Sequence, residues 1–141
     1  MGWQLARENG VAPCAWAAVD VALWDCLARG AGQPLYRLLG LPHNGVATSV
    51  TIGILPPEVV KERVPEVVSR TGARYLKIKL GSPDGLDADC DMFAAVQEAA
   101  NGLGVSLRVD ANGGWDLAGA QHMMAWLKER GCDYVEQPLH Y

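Results

Sequence analysis

The sequence predicts an α/β fold built on a parallel sheet. Three observations carry the prediction. Apolar or β-branched runs of strand length recur from residue 48 onward, each but the last followed by a stretch with helical apolar spacing. Glycine or proline stands at nearly every junction between them. The resulting order, β-α-β-α-β-α-β, is that of parallel strands joined by right-handed crossovers. It fits an open doubly wound sheet and a barrel alike.

The bulk numbers frame this reading. A chain of 141 residues, half hydrophobic and one-fifth charged, is long enough for one ordinary globular domain. A net charge of -4 offers no basic footprint for nucleic acid. No apolar run is long enough to span a bilayer, and no charged segment followed by an apolar stretch opens the chain as a secretory leader would. The four cysteines, Cys14, Cys26, Cys90 and Cys132, form neither a CxxC pair nor a finger spacing with His43, His122 or His140. Reduced, mostly buried thiols in a cytoplasmic protein are the expectation.

The elements follow in order. Pro13 opens a helix over 13–30, with Ala15, Val19, Ala22, Leu23 and Leu27 at helical spacing and Gly30 and Gly32 at its end. A short helix over 34–39 stops at Gly40, and 42–45 is a loop. Residues 48–54 are β-branched enough for a first strand. Pro56-Pro57 opens a helix that buries Val60, Val64, Val67 and Val68, with Pro65 expected to bend it or shift its start. Residues 75–80 form a second strand, and Gly81-Ser82-Pro83-Asp84-Gly85 a loop. A helix over about 87–101 buries Met92, Val96, Ala99 and Leu103. The third strand, 105–110, sets Val105, Leu107 and Val109 on one face. After a glycine-containing turn, Asp116 caps a helix that buries Leu117, Ala120, Met124 and Leu127. Gly131 closes it, and 133–136 is the fourth strand, stopped by Pro138.

Polar residues collect at the C-terminal ends of three successive strands. Lys77 and Lys79 share one face of the second strand, because side chains alternate there. Two ammonium groups on one face of a buried strand are costly unless something there needs them. Repulsion and desolvation lower a lysine pKa toward that of a base working near neutrality. Asp110, out of phase with Val105, Leu107 and Val109, points to the opposite side and is followed by Asn112; Glu136 ends the fourth strand. Carboxylates converging from neighbouring strands are hard ligands suited to Mg²⁺ or Mn²⁺. A lysine beside such an ion can remove a proton α to a carboxylate. Each motif has a plainer alternative: solvated edge lysines, an Asx turn at Asp110, a solvated end at Glu136, an interior ion pair for Arg108. Trp115 and Trp126 are read as packing residues. No GxGxxG or GxxxxGK[ST] accompanies the strands, which weakens both phosphate-loop readings.

Lys77-Ile78-Lys79, Val109-Asp110-Ala111-Asn112 and Glu136-Gln137-Pro138 together resemble the enolase superfamily in its muconate lactonizing enzyme branch. The segment from Ala22-Leu23-Trp24-Asp25 to Leu38-Leu39-Gly40 is similar to the lead-in to that family's barrel. The resemblance implies a partial (β/α)8 barrel over 46–141, preceded over 1–45 by the helical remnant of a capping domain. It implies Lys79 as the acid/base at the substrate α-carbon and Lys77 behind it. It implies Asp110 and Glu136 as ligands of Mg²⁺, with Mn²⁺ as a substitute, and Asn112 as a supporting group. Thr48-Ser49-Val50-Thr51-Ile52-Gly53-Ile54 is similar to the first barrel strand of dipeptide epimerases, which invert one α-carbon of a dipeptide such as Ala-Glu. The substrate class so implied is a small carboxylate or dipeptide. Cycloisomerases of muconate and dehydratases forming o-succinylbenzoate share the same half-reaction.

A full (β/α)8 barrel needs eight strands and about 250 residues. The third metal ligand and the second lysine that the resemblance implies would lie on strands beyond the four read here. The chain by itself is therefore expected to be poorly active, and its exposed sheet edges to call for self-association or a partner completing the barrel. Two alternatives stand beside this reading. One is a non-catalytic, oligomerising α/β module with idle motifs. The other is a flavodoxin-like open sheet, which gives no reason for paired inward lysines.

Overall fold

A computed structural model describes residues 2–140 and divides the chain into two compact units, one up to Val46 and one from Ala47 onward. The first unit holds α1 (Gly2–Glu8), α2 (Pro13–Gly30) and α3 (Leu35–Leu38). α1 is not among the predicted elements, since seven residues are too few to show a helical period. A Cβ at Gly2 would meet the Trp16 ring at 2.7 Å, so the glycine lets α1 lie against that ring. The predicted inner stripe of α2 is a correction. Val19, Leu23 and Leu27 are exposed, and the buried residue of α2 is Ala28. Helices as short as α1 and α3 offer too little surface to cover α2.

The second unit runs β1 (Val50–Ile52), α4 (Pro57–Thr71), β2 (Tyr75–Lys79), α5 (Leu86–Ala99), β3 (Ser106–Asp110), α6 (Leu117–Glu129) and β4 (Val135–Glu136). All neighbouring strands are parallel, in the order β1-β2-β3-β4. A doubly wound sheet reverses its strand order at a switch point, whereas a barrel wall adds each strand beside the last. The unreversed order is that of a partial (β/α)8 barrel, with β1 and β4 at its edges.

One face of this sheet is closed by the helices. Leu76, Ile78 and Val109 are wholly buried with Val60 and Val64 of α4, Phe93 and Val96 of α5, and Met123 of α6. Each such side chain contributes roughly 1.5–3 kcal/mol relative to exposure. The strict alternation of β2, with Leu76 and Ile78 buried and Lys77 and Lys79 half-buried, turns the lysines to the other face.

Several boundaries differ from the sequence expectation. β1 and β4 are shorter than predicted because each pairs on one side only; the ladders cover Val50–Ile52 against Leu76–Ile78 and Val109–Asp110 against Val135–Glu136. α4 runs unbroken through Pro65, whose missing N–H is tolerated while Val64 and Val67 stay buried. In α6 the inner methionine is Met123; Met124 and Leu117 are exposed. Leu103 lies beyond α5 and is also exposed. The cysteines are less buried than expected. Cys14 and Cys26 are exposed, Cys90 and Cys132 half-buried, and all four are free thiols. Trp126 packs edge-on against Phe93, as a packing residue should. Among the described residues, no helix is long and apolar enough to cross a membrane.

Candidate active site

Register builds the site. β2 and β3 pair with Lys79 opposite Asp110, and β3 and β4 pair with Asp110 opposite Glu136. Three charged positions therefore form one row across the C-terminal edge of the sheet, with Lys77 one pleat repeat behind. That edge carries the active site in parallel α/β barrels.

The side chains close into a charge cluster. Lys79 Nζ donates to Asp110 Oδ2 at 2.7 Å, and Lys77 Nζ donates to Glu136 Oε2 at 2.9 Å. Lys77 Nζ also lies 3.9 Å from Asp110 Oδ2. Asp110 is buried, whereas Glu136 keeps about half its side chain in solvent. Burial pushes the Asp110 carboxyl up, but the Lys79 bond, the Asn112 N–H and the charges of both lysines outweigh it and hold it below the usual carboxylate value. The lowered lysine pKa expected from repulsion and desolvation is a correction at Lys77. Its bond to Glu136 raises it above the ordinary lysine value, because register supplies each ammonium with a carboxylate.

Asn112 supports the cluster through its backbone. Its N–H donates to Asp110 Oδ1 at 3.0 Å, which is an Asx turn. Asn112 and Gln137 are non-glycine residues at positive φ, 52° and 42°; Gln137 directly follows β4, and Asn112 stands two residues beyond the end of β3. Backbone held this way costs of order 1–3 kcal/mol and collects where side chains must be aimed. Arg108 sits below the cluster. Its guanidinium stacks on Tyr75 at 3.7 Å, donates to Ser49 Oγ at 3.0 Å, and has its Nε 3.6 Å from an Asp133 oxygen. It packs the sheet face under the lysines. Trp115 is buried as a packing residue, but its indole N–H donates to Asp89, a wholly buried acid the sequence reading did not single out.

The donor set fits a divalent cation of the Mg²⁺ type. Asp110 and Glu136 present hard carboxylate oxygens from adjacent register positions, and each already binds a cation, the lysine ammonium. Two carboxylates are fewer ligands than such an ion takes, and no group of three or more His, Cys, Asp or Glu converges among the described residues. Other oxygen donors would have to complete the shell.

Residues 59–141 match the family described as enolase C-terminal domain-like, and residues 3–40 match the mandelate racemase/muconate lactonizing enzyme N-terminal domain. The chain is 63% identical over 137 residues to a hydrophobic dipeptide epimerase from Roseobacter litoralis, covering 97% of this chain and 40% of that protein. It is 57% identical over 134 residues to a hydrophobic dipeptide epimerase from a Flavobacteria bacterium, covering 95% and 38%. Its fold matches the crystal structure of a dipeptide epimerase from Methylococcus capsulatus, complexed with Mg and the dipeptide L-Arg-D-Lys, with a TM-score of 0.79 at 35% identity. That match covers 97% of this chain and 38% of the other. The chain thus spans about two-fifths of the length of the relatives it matches.

Proposed function

Since the chain belongs to the enolase C-terminal domain-like family, in its mandelate racemase/muconate lactonizing enzyme branch, we propose that its strand-end cluster is one side of a site that removes the α-proton of a dipeptide. The substrate class follows two relatives that the chain resembles at 63% and 57% identity, both hydrophobic dipeptide epimerases. The observation that carries the reading is the 2.7 Å pairing of Lys79 with Asp110 at matched register positions, beside Glu136. It places an amine and two carboxylates at one spot on the open face of the sheet.

Each residue has a stated task. Asp110 and Glu136 would hold the cation. When bound, that ion supplies a positive centre for the substrate carboxylate and for the negative charge that builds on its oxygens as the proton leaves. Lys77, kept charged by Glu136, adds a fixed positive charge to the same place. Lys79 Nζ, once released from Asp110 and deprotonated, takes the α-proton and can return it to the same face. Inversion needs a second acid on the opposite face, which none of these residues supplies. The 141-residue chain is therefore proposed to exchange an α-proton far better than it inverts the carbon.

A second reading has one observation in its favour. The four charges satisfy each other within the chain. An idle cluster in a non-catalytic, oligomerising module would look the same. Incubating the chain with Mg²⁺ and a hydrophobic dipeptide in D₂O separates the two. Deuterium entering the α-position, lost in Lys79→Met, supports proton abstraction. No exchange above the variant's level supports the idle module.

A further inference from the structure

Asp89 lies in α5, outside the lysine-carboxylate cluster, and is 1% exposed. A carboxylate this deep is costly unless it is fully hydrogen-bonded. Its Oδ1 accepts from the Gly81 and Ser82 N–H groups at 3.0 Å each. Its Oδ2 accepts from the Gly81 N–H at 3.0 Å and from the Trp115 indole N–H at 2.7 Å. These donors belong to two loops. Gly81 and Ser82 follow β2 directly beyond Lys79 and Leu80, while Trp115 closes the turn that follows Asp110.

The same two loops meet backbone to backbone. A Cβ on Gly81 would stand 2.2 Å from the Ala111 carbonyl oxygen, and one on Gly114 would stand 2.6 Å from Gly81 Cα. Leu80 N–H donates to the Asp110 carbonyl at 2.9 Å between them. A carboxylate serving its own helix would bond to that helix's first turn. Asp89 spends its acceptor capacity on two other segments instead. A shift of the β2 end would leave Asp89 Oδ1 unpaired, and a shift of the β3 end would leave the buried Trp115 indole N–H without its acceptor.

We propose that Asp89 is a positioning residue for the site: it ties the ends of β2 and β3 together and so holds Lys79 against Asp110. This rests on the reading of Lys79 and Asp110 as site residues given above.

The test uses the 141-residue chain and two signals. The first is the ¹H–¹⁵N ammonium resonance of Lys79, assigned with Lys79→Arg. The second is the affinity for Mn²⁺, measured from the free-ion paramagnetic resonance. Asp89→Asn sets an amide N–H₂ against N–H donors. It is expected to move the Lys79 resonance toward its position in Asp110→Asn and to weaken Mn²⁺ binding about tenfold, the usual scale for a group that orients a ligand. Trp115→Phe removes one donor only and should shift both signals the same way by less, which keeps the test open if Asp89→Asn does not fold. An unmoved Lys79 resonance in Trp115→Phe, and in Asp89→Asn where it folds, overturns the proposal even if melting temperatures drop. If wild-type Mn²⁺ binding does not depend on Asp110, the metal reading fails instead, and the Lys79 resonance alone still decides the role of Asp89.

Discussion

Replacing Gly81 with alanine should cost far more than the same change at another left-handed glycine. Gly81 has φ +83°, and Gly102 has φ +77°. Alanine at either site pays the left-handed penalty of about 1–2 kcal/mol. At Gly102 the new methyl meets nothing within 4 Å, so the cost ends there. At Gly81 it would sit 2.2 Å from the Ala111 carbonyl oxygen, an atom of the backbone immediately beyond β3. A rigid neighbour cannot yield as a side-chain tip does, and overpacking of this kind adds about 1–3 kcal/mol. The expected losses are therefore about 2–5 kcal/mol for Gly81→Ala and about 1–2 for Gly102→Ala. Urea titrations followed at the amide signals of Ile78 and Val109 report the sheet unit alone, and a change in midpoint at constant slope gives the stability difference. Equal losses in the two variants would show that the loops after β2 and β3 do not touch as described. The premise for Asp89 would fall with them.

Other tests address packing and titration. Met123→Ala, at a wholly buried site beside Cys90, should lose about 2–5 kcal/mol through the cavity it leaves, while Met124→Ala, at an exposed site, should stay within about 0.5 kcal/mol; urea midpoints compare them. Burial pushes the Cys90 and Cys132 thiols above their ordinary value of 9.0. Fold stability from these two groups is thus complete below that pH and is lost as pH rises through their higher folded values. With iodoacetamide at pH 8, Cys14 and Cys26 should label first and Cys90 and Cys132 last, as read by peptide mass spectrometry. The lag should shrink as the pH is raised.

The fold was legible where periodicity is strong. Val60-Val64-Val67 in α4 and the alternation of β2 could be read from spacing alone, because burial selects apolar side chains at those intervals. Met123 and Met124 show where spacing runs out. Both stand one helical turn from Ala120 and Leu127, and the phase of α6 against the sheet decides which faces inward. The lengths of β1 and β4 were illegible for a similar reason, since a ladder's extent depends on its partner. At the site, Lys77, Lys79, Asp110 and Glu136 could be found from residue type and strand position. Their mutual pairing could not, because it depends on register, and the upward shift at Lys77 follows from that pairing. Asp89 was hidden among Asp87, Asp89 and Asp91, three acids in one helix. Asp89 alone of the three is buried, and only the fold brings Gly81 and Trp115 to it.

The ammonium signals of Lys77 and Lys79 during a Mg²⁺ titration test the site most directly. If Asp110 and Glu136 hold a cation at the spot where the lysines now pair with them, both signals should shift and saturate together with one dissociation constant. Asp110→Asn should abolish the response. Lysine signals that stay fixed up to millimolar Mg²⁺, or that respond equally in Asp110→Asn, would mean that the two acids serve only the ion pairs of the folded chain.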